Sequence, residues 1–144
     1  MRKGDQPDPA ITASMPIAKG TFTVTATRHP ATEAFAEMTV GRVKFVKEFV
    51  GDFVANSVVE MLSIGTGVDG SAVYVAIERL TGTLHGKQGS FAMHHTGIMH
   101  RGVPNLSVRV VPDSANGELK GLAGVLQIEI TGGQHFCTFE YDLP

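Results

Sequence analysis

Three histidines lie close together in residues 90 to 100, SFAMHHTGIMH, and their side chains are the first candidates for chemistry in this chain. On a β-strand successive side chains point to opposite faces of the sheet, so His94 and His95 cannot both reach one metal ion. The six-residue interval from His94 to His100 corresponds to about 20 Å of strand, far beyond the roughly 2 Å bonds of a zinc site. We therefore predict neither a metal site nor a cofactor.

Glu78 is the acidic residue that hairpin pairing brings to this segment. If Gly86 and Lys87 form a two-residue turn, Glu78 lies directly opposite His95 in an antiparallel strand pair. The other residues of this face are mostly apolar, so the face is expected to point into the protein. A buried carboxylate is costly unless it is paired, and a histidine on the neighbouring strand is a natural partner.

The preceding hairpin leaves two positions open for Glu60. A turn centred on Asp69 brings Glu60 level with Glu78, whereas a two-residue turn at Val68 and Asp69 shifts the register by one residue. In the first case two like charges beside His95 would make one carboxylate an acid and leave the other a base, as isomerases and cyclases require. The alternative is a purely structural Glu78 and His95 pair with a solvated Glu60.

The same alternation assigns three more side chains to the interior. Tyr74 and Met93 lie on the inward face, and a final turn at Gly132 and Gly133 makes Tyr141 face inward, where its hydroxyl needs a partner. We take Glu78 and His95 as the candidate catalytic residues. The candidate ligand-binding residues are Glu60, Tyr74, Glu78, Met93, His95 and Tyr141.

Eight segments have the composition and alternation of β-strands, and glycine-containing breaks separate them. Because an open sheet would leave two aggregation-prone edges, these strands are expected to close on themselves. The sequence therefore predicts an all-β fold, a closed eight-stranded antiparallel β-barrel of the lipocalin-like kind, with room inside for side chains or one small ligand. The predicted strands are residues 20–27, 41–51, 56–64, 71–84, 89–99, 105–111, 124–131 and 135–143.

We expect two parts in the chain, an extended N-terminal tail of residues 1–16 and one barrel domain of residues 17–144. Short helical turns are expected at residues 31–38 and 114–122, the second with Ser114 as its N-terminal cap.

The hexapeptide GTGVDG, residues 65–70, matches the GxGxxG pattern of dinucleotide-binding sites. That pattern works because a helix N-terminus follows it and faces the pyrophosphate. Here the next residues, SAVYVAIE, alternate and are β-branched, which is typical of a strand. The hexapeptide is therefore predicted to be a hairpin turn.

Composition and charge exclude several classes of protein. The 144-residue chain has a net charge of −2 and a pI near 6.3, so it lacks the basic surface that nucleic-acid binding needs. No N-terminal segment has the apolar core of about 7 to 15 residues of a secretory signal, and no stretch approaches the roughly 20 apolar residues of a membrane helix. We expect a cytoplasmic protein without a nucleic-acid or membrane partner. The single cysteine, Cys137, is expected to be a buried apolar residue in a reducing compartment.

A family resemblance rests on five segments: KGTF (19–22), VEML (59–62), AIERLTGTLHGKQGSFAMHHTG (76–97), VVPDSANGELKGLAG (110–124) and FEYDL (139–143). Together they resemble a small bacterial family of unknown function whose members adopt the allene oxide cyclase-like β-barrel. NGELKGLAG also resembles the glycine-rich turn of plant allene oxide cyclases and dirigent proteins, eight-stranded barrels that guide cyclisation or coupling of apolar substrates. The resemblance implies the fold and no particular reaction, because unrelated sites are built on one fold.

The leading functional hypothesis is a barrel that binds a small apolar or amphipathic ligand. The polar groups expected to orient that ligand are Glu60, Glu78, His95 and Tyr141. A second hypothesis is an enzyme in which Glu78 and His95 transfer a proton during a cyclisation or isomerisation. A third is a structural barrel that assembles through exposed apolar strands such as residues 41–50. A homo-oligomer is compatible with all three hypotheses.

Overall fold

A computed structural model describes residues 15–30 and 35–144 of the chain. It contains a single closed sheet in which each strand pairs antiparallel with the next and the last strand pairs with the first, so the predicted eight-stranded antiparallel barrel is confirmed. The strands are β1 (Ile17–His29), β2 (Thr39–Gly51), β3 (Phe53–Gly65), β4 (Ala72–Leu84), β5 (Lys87–His100), β6 (Val103–Val110), β7 (Ala123–Thr131) and β8 (Gln134–Asp142).

Alternation of side chains along each strand determines which face is buried. In β2, Val43 and Phe49 point into the barrel and are at most 5% exposed, whereas Val46 and Val50 point outward and are about half exposed. Since a shift of one residue would exchange these two sets, the buried face strongly specifies the register of each strand. The homo-oligomer expected from exposed apolar residues such as Val46 and Val50 stays a prediction.

The turn between β4 and β5 lies one residue earlier than predicted, which shifts the strand pairing by two residues. His85 and Gly86 are the two central residues, with φ angles of 46° and 80°, as in a type I′ turn. Leu84 therefore pairs with Lys87, and the predicted turn at Gly86 and Lys87 is wrong. The physical reason is that a type I′ turn needs positive φ at both central positions, which glycine accepts readily at the second of them.

The other predicted turns have mixed outcomes. Gly132 and Gly133 do form the turn of the β7–β8 hairpin, with φ angles of 61° and 79°. Residues 66–71, within the GxGxxG pattern and just after it, connect β3 to β4 as a hairpin loop, as predicted. Residues 31–34 of the first predicted helical turn lie outside the described residues, and its remainder forms a turn closed by a bridge between Phe35 and Met38.

Residues 114–122 contain one turn of 3-10 helix, at Gly117–Leu119. The expected cap by Ser114 is wrong, because Asn116 occupies the N-cap position and makes no side-chain cap bond. Ser114 Oγ instead accepts a hydrogen bond from the backbone N–H of Ala92 at 3.1 Å. The segment is thus tied to the end of the barrel, where Leu119 and Leu122 join the buried core.

The interior divides along the barrel axis into a packed half and a hollow half. The packed half contains a cluster of aromatic rings whose centroids are 4.9 to 6.0 Å apart. Its rings are Phe22, Phe49, Phe53, Phe91 and Phe139. Along β4, Leu80 and Leu84 belong to this half, while Tyr74 and Ala76 line a cavity in the other half. Glu78 lies on β4 between the two.

The described parts of the chain contain no helix of the length and apolarity that crossing a bilayer requires.

Two glycines provide a test of how tightly the strands pack. A Cβ atom on Gly82 of β4 would collide with the backbone of Val54 and Ala55 in β3, whereas one on Gly65 would meet no atom within 4 Å. We expect Gly82→Ala to lower the free energy of unfolding by about 1–3 kcal/mol and Gly65→Ala to change it by less than about 0.5 kcal/mol. Urea denaturation of the two variants measures this, and equal effects would contradict the assigned close approach.

Candidate functional site

The Glu78 side chain is completely buried, at 0% exposure, and three side chains contact its carboxylate. His95 Nε2 lies 2.7 Å from Oε1, and Lys47 Nζ lies 3.4 Å from the same oxygen. Ser57 Oγ lies 2.6 Å from Oε2. We call these four residues, Lys47, Ser57, Glu78 and His95, the polar layer. No fully buried side-chain nitrogen or oxygen among the described residues lacks a hydrogen-bond partner.

The partners keep Glu78 ionised. Burial by itself raises the pKa of this carboxyl, but the hydrogen bond from His95, the charge of Lys47 and the hydrogen bond from Ser57 together outweigh burial and lower the pKa below its ordinary value of 4.5. An ionised carboxylate only accepts hydrogen bonds. The proton between Glu78 and His95 therefore resides on Nε2, which donates it.

Four adjacent strands, β2 to β5, supply one residue each to the polar layer. Lys47 pairs directly with Ser57, but Glu78 pairs with Val59 and Met93 rather than with its polar partners. Ser57 and His95 are therefore diagonal neighbours of Glu78, two residues along the adjoining strands. Diagonal neighbours lie about 7–8 Å apart, within reach of long side chains.

The predicted pairing of Glu78 opposite His95 is thus wrong, and yet the two side chains are in contact. His95 pairs with Ala76, since the β4–β5 register differs from the predicted one by two residues. A shift of two preserves the face to which each side chain points. His94, next in the chain, points outward and is exposed, as the alternation predicted.

Lys47 is the functional candidate that the sequence analysis missed. Its side chain is buried, and Nζ lies 4.7 Å from the centre of the Phe22 ring. The sequence does contain an indication that Lys47 is buried, because alternation places it on the same inward-facing row of β2 as Phe45 and Phe49. The third hypothesis uses residues 41–50 as a contact surface, but a lysine in the inward-facing row of that strand is unusual enough to indicate an interior anion.

A cavity of about 300 Å³ occupies the hollow half, above the polar layer, and opens to solvent. Lys47 and His95 form part of its floor, and Tyr74 and His135 are the other polar side chains that line it. Glu78 does not line the cavity, since it lies beneath Lys47 and His95. The remaining lining residues are Phe22, Val24, Phe45, Val59, Met61, Ala76, Leu106, Ile128 and Ile130.

Of the candidate ligand-binding residues, Tyr74 lies in the cavity wall and Met93 does not. The ring of Tyr74 packs directly over Gly97, at a place where a Cβ atom would collide with it. Burial and the nearby charge of Glu78 raise the pKa of Tyr74, so its hydroxyl stays protonated and can donate. Met93 is 0% exposed and belongs to the packed core below the cavity.

Glu60 lies on the outer surface, so it does not join Glu78 in the interior. Hairpin β3–β4 adopts the second of the two registers, in which Glu60 pairs with Ile77 and the side chain of Glu60 points away from the barrel. Its carboxylate lies 3.7 Å from the guanidinium of Arg79, and both side chains are more than 60% exposed. The acidic pair beside His95 is therefore not formed.

Tyr141 faces inward as predicted, but it lies at the packed end of the barrel. Its hydroxyl contacts His85 Nδ1 at 2.6 Å, so the expected partner exists in the β4–β5 turn rather than in the cavity. His85 Nε2 lies 3.8 Å from Asp52, which connects this contact to the β2–β3 turn. Tyr141 thus helps to close the packed end.

The described residues offer neither a reactive thiol nor a group of metal ligands. Burial raises the pKa of Cys137 to about 11, so its thiol is a poor nucleophile at neutral pH. In the described ranges, no three His, Cys, Asp or Glu side chains are grouped closely enough to hold a metal ion.

A double-mutant cycle tests the coupling of Lys47 and Glu78. Glu78→Gln leaves a buried ammonium without its anion and is expected to lower the free energy of unfolding by about 3–5 kcal/mol. Lys47→Met should cost less, because the carboxylate keeps two donors. The double variant should be more stable than the sum of the single effects predicts, by about 0.5–3 kcal/mol. Chemical denaturation measures all three variants, with Glu60→Gln and Arg79→Met as the exposed control pair; additive losses would contradict the coupling.

The lowered pKa of Glu78 predicts a pH dependence of stability. A carboxyl whose pKa is lower in the folded state stabilises the fold fully above its unfolded value of 4.5, and that contribution is lost as the pH falls through the folded value. The advantage of the wild-type protein over Glu78→Gln should therefore shrink as urea titrations move from about pH 7 to about pH 3. A pH-independent difference would show that folding leaves the pKa of Glu78 unchanged, and an advantage that grows toward pH 3 would show that folding raises it.

Comparisons with known proteins agree with this fold and do not name an activity. The model of the DUF3224 family, described as proteins of unknown function, matches residues 18–141. A crystal structure of a DUF3224 protein of unknown function from Shewanella oneidensis MR-1 is similar, with a TM-score of 0.86 and 42% sequence identity, and the match covers 91% of this chain and 99% of that one. No curated protein matches the chain. The chain belongs to the DUF3224 family, whose function is unknown.

Proposed function

We propose that the barrel binds a small, largely apolar molecule in the cavity above the polar layer. The observation that carries the proposal is an open cavity of about 300 Å³ with mostly apolar walls and a few polar groups at its floor. This volume is at the lower end of the roughly 300–1,000 Å³ of known ligand pockets. Apolar walls supply affinity, and a few fixed polar groups supply orientation.

The position of the polar layer favours binding over a purely structural role. A buried ionic cluster is seldom more stabilising than apolar side chains of the same shape, so stability alone gives little reason to place one in the barrel. Here the cluster lies where the packed half ends and the cavity begins, with Lys47 and His95 on the cavity side. A polar group at that boundary is available to a ligand and is still held rigidly from below.

The resemblance of NGELKGLAG to the glycine-rich turn of allene oxide cyclases and dirigent proteins is compatible with this proposal. Those barrels accept apolar substrates. That resemblance supports a ligand inside the barrel, and the nature of the ligand depends on the residues of this cavity.

A second candidate function is proton-transfer catalysis, and the contact between Glu78 and His95 favours it. Because Nε2 donates to Glu78, the other ring nitrogen, Nδ1, is left as the basic atom of a neutral His95. A histidine oriented by a carboxylate and placed in a cavity wall is a common general base. In such an enzyme Glu78 would position His95, since Glu78 itself does not line the cavity. The proposed reaction class is an isomerisation or a cyclisation.

Two measurements test binding. Native mass spectrometry of the gently purified protein should show a non-metal mass that is lost on denaturation. Octan-1-ol, a small neutral probe, should bind with NMR shift changes centred on the cavity. Val24→Phe and Ile128→Phe fill the cavity and should weaken octan-1-ol binding at least about ten-fold, while the outward-facing control Val50→Phe should not. Absence of both a retained mass and octan-1-ol binding would overturn the proposal.

A further inference from the structure

The polar groups of the cavity have a common chemical property. All four polar lining side chains, those of Lys47, Tyr74, His95 and His135, can donate a hydrogen bond. None of the thirteen described residues that line the cavity is Asp or Glu. The carboxylate of Glu78 lies beneath the floor, and its oxygens already accept from three donors. A ligand in the cavity therefore meets donors and cationic groups without a competing anion.

Lys47 is the most loosely held member of the polar layer. Its distance to Glu78, 3.4 Å, exceeds the roughly 2.7–2.9 Å of a strong charge-assisted bond, whereas His95 and Ser57 lie 2.7 and 2.6 Å from the same carboxylate. An ammonium has three N–H donors, and one of them is directed to Glu78. The others remain available to an acceptor in the cavity, next to the Phe22 ring.

Two histidines are the side chains with ring nitrogens in the cavity lining. Lys47 and Glu78 neutralise each other, so an anion in the cavity depends on further N–H donors around it. His95 is buried, and its ring nitrogen Nδ1 makes no hydrogen bond within the described residues. His135 is half-buried, with its ring 5.0 Å from that of Phe22. The titratable groups that face the cavity or its floor are Lys47, Tyr74, Glu78, His95, His135 and Cys137.

From these contacts we infer that the ligand is a small carboxylic acid with an apolar body. Its carboxylate lies at the floor and accepts from Lys47 and from a ring N–H of His135. Its hydrocarbon part extends toward the cavity mouth, among apolar side chains such as Met61, Leu106 and Ile128. A carboxylate can accept several hydrogen bonds at once, so it suits converging donors better than an alcohol or an amine does. This inference rests on the proposed function and specifies the ligand class for the same cavity.

Three probes with the same chain length test the inference: octanoate, octan-1-ol and octylamine, each titrated into the full-length protein by calorimetry. Octanoate should bind at least about ten-fold more tightly than either other probe. The variant Lys47→Met/Glu78→Gln removes both charges together, so it avoids an unpaired buried charge and is expected to fold. It should lose the preference for octanoate and keep the affinity for octan-1-ol.

Two further variants distinguish the effect of donors inside the cavity on octanoate binding from the effect of the protein's overall charge. His135→Gln should weaken octanoate binding while the polar layer stays intact, because His135 lies outside that layer. Lys44→Met is the matched control, since Lys44 lies on the same strand as Lys47 but on its outer, exposed face. It should leave octanoate binding unchanged.

Each contrary result overturns a different statement. If octan-1-ol or octylamine binds as tightly as octanoate, or if Lys44→Met weakens octanoate as much as the floor variants do, the carboxylate inference is wrong and the binding cavity stands. If none of the three probes binds, the proposed function fails together with the inference.

Discussion

The carboxylate of Glu78 has no contact with water, and the arrangement of β2 to β5 reflects the cost of keeping that charge inside the barrel. One donor would not compensate for the lost hydration. Ser57 and His95 supply two short hydrogen bonds, and Lys47 supplies the opposite charge. Because these donors come from three different strands, the carboxylate is satisfied only when four strands have their native registers. The polar layer thus couples a local charge to the pairing of half the barrel.

The same layer separates two kinds of interior. Below it, interlocking phenylalanine rings fill the barrel to the end closed by the turns at Asp52 and His85 and by the segment that carries Leu119. Above it, smaller side chains such as Val24, Val59 and Ala76 leave a cavity. An empty apolar cavity destabilises a protein, and a ligand that fills it restores the lost contacts. A cavity beside such a tightly packed half therefore favours a binding site over a packing defect.

The register of the β4–β5 hairpin illustrates how far sequence patterns reach. The alternation of β4 and β5 correctly placed Glu78 and His95 on one inward face. An error of one residue in the turn shifted the register by two residues, which preserves that face. For Glu60 the two possible registers differed by one residue, and only the closed sheet decided between them. The prediction for Tyr141 was right about the inward face and wrong about the position along the barrel axis. Alternation along a strand does not determine which end of the barrel a residue occupies.

The sequence by itself determined the eight strands, their closure into a barrel and the faces of Glu78, His95 and Cys137, since these depend on a period of two along each strand. Tertiary structure alone decided which inward residues meet. Lys47 and Glu78 are 31 positions apart in the chain, and their contact depends on the registers of two strand pairs and on the stagger of neighbouring strands in the closed barrel. The cavity, too, follows from how side chains of eight strands fill a common volume, which no single strand pattern encodes.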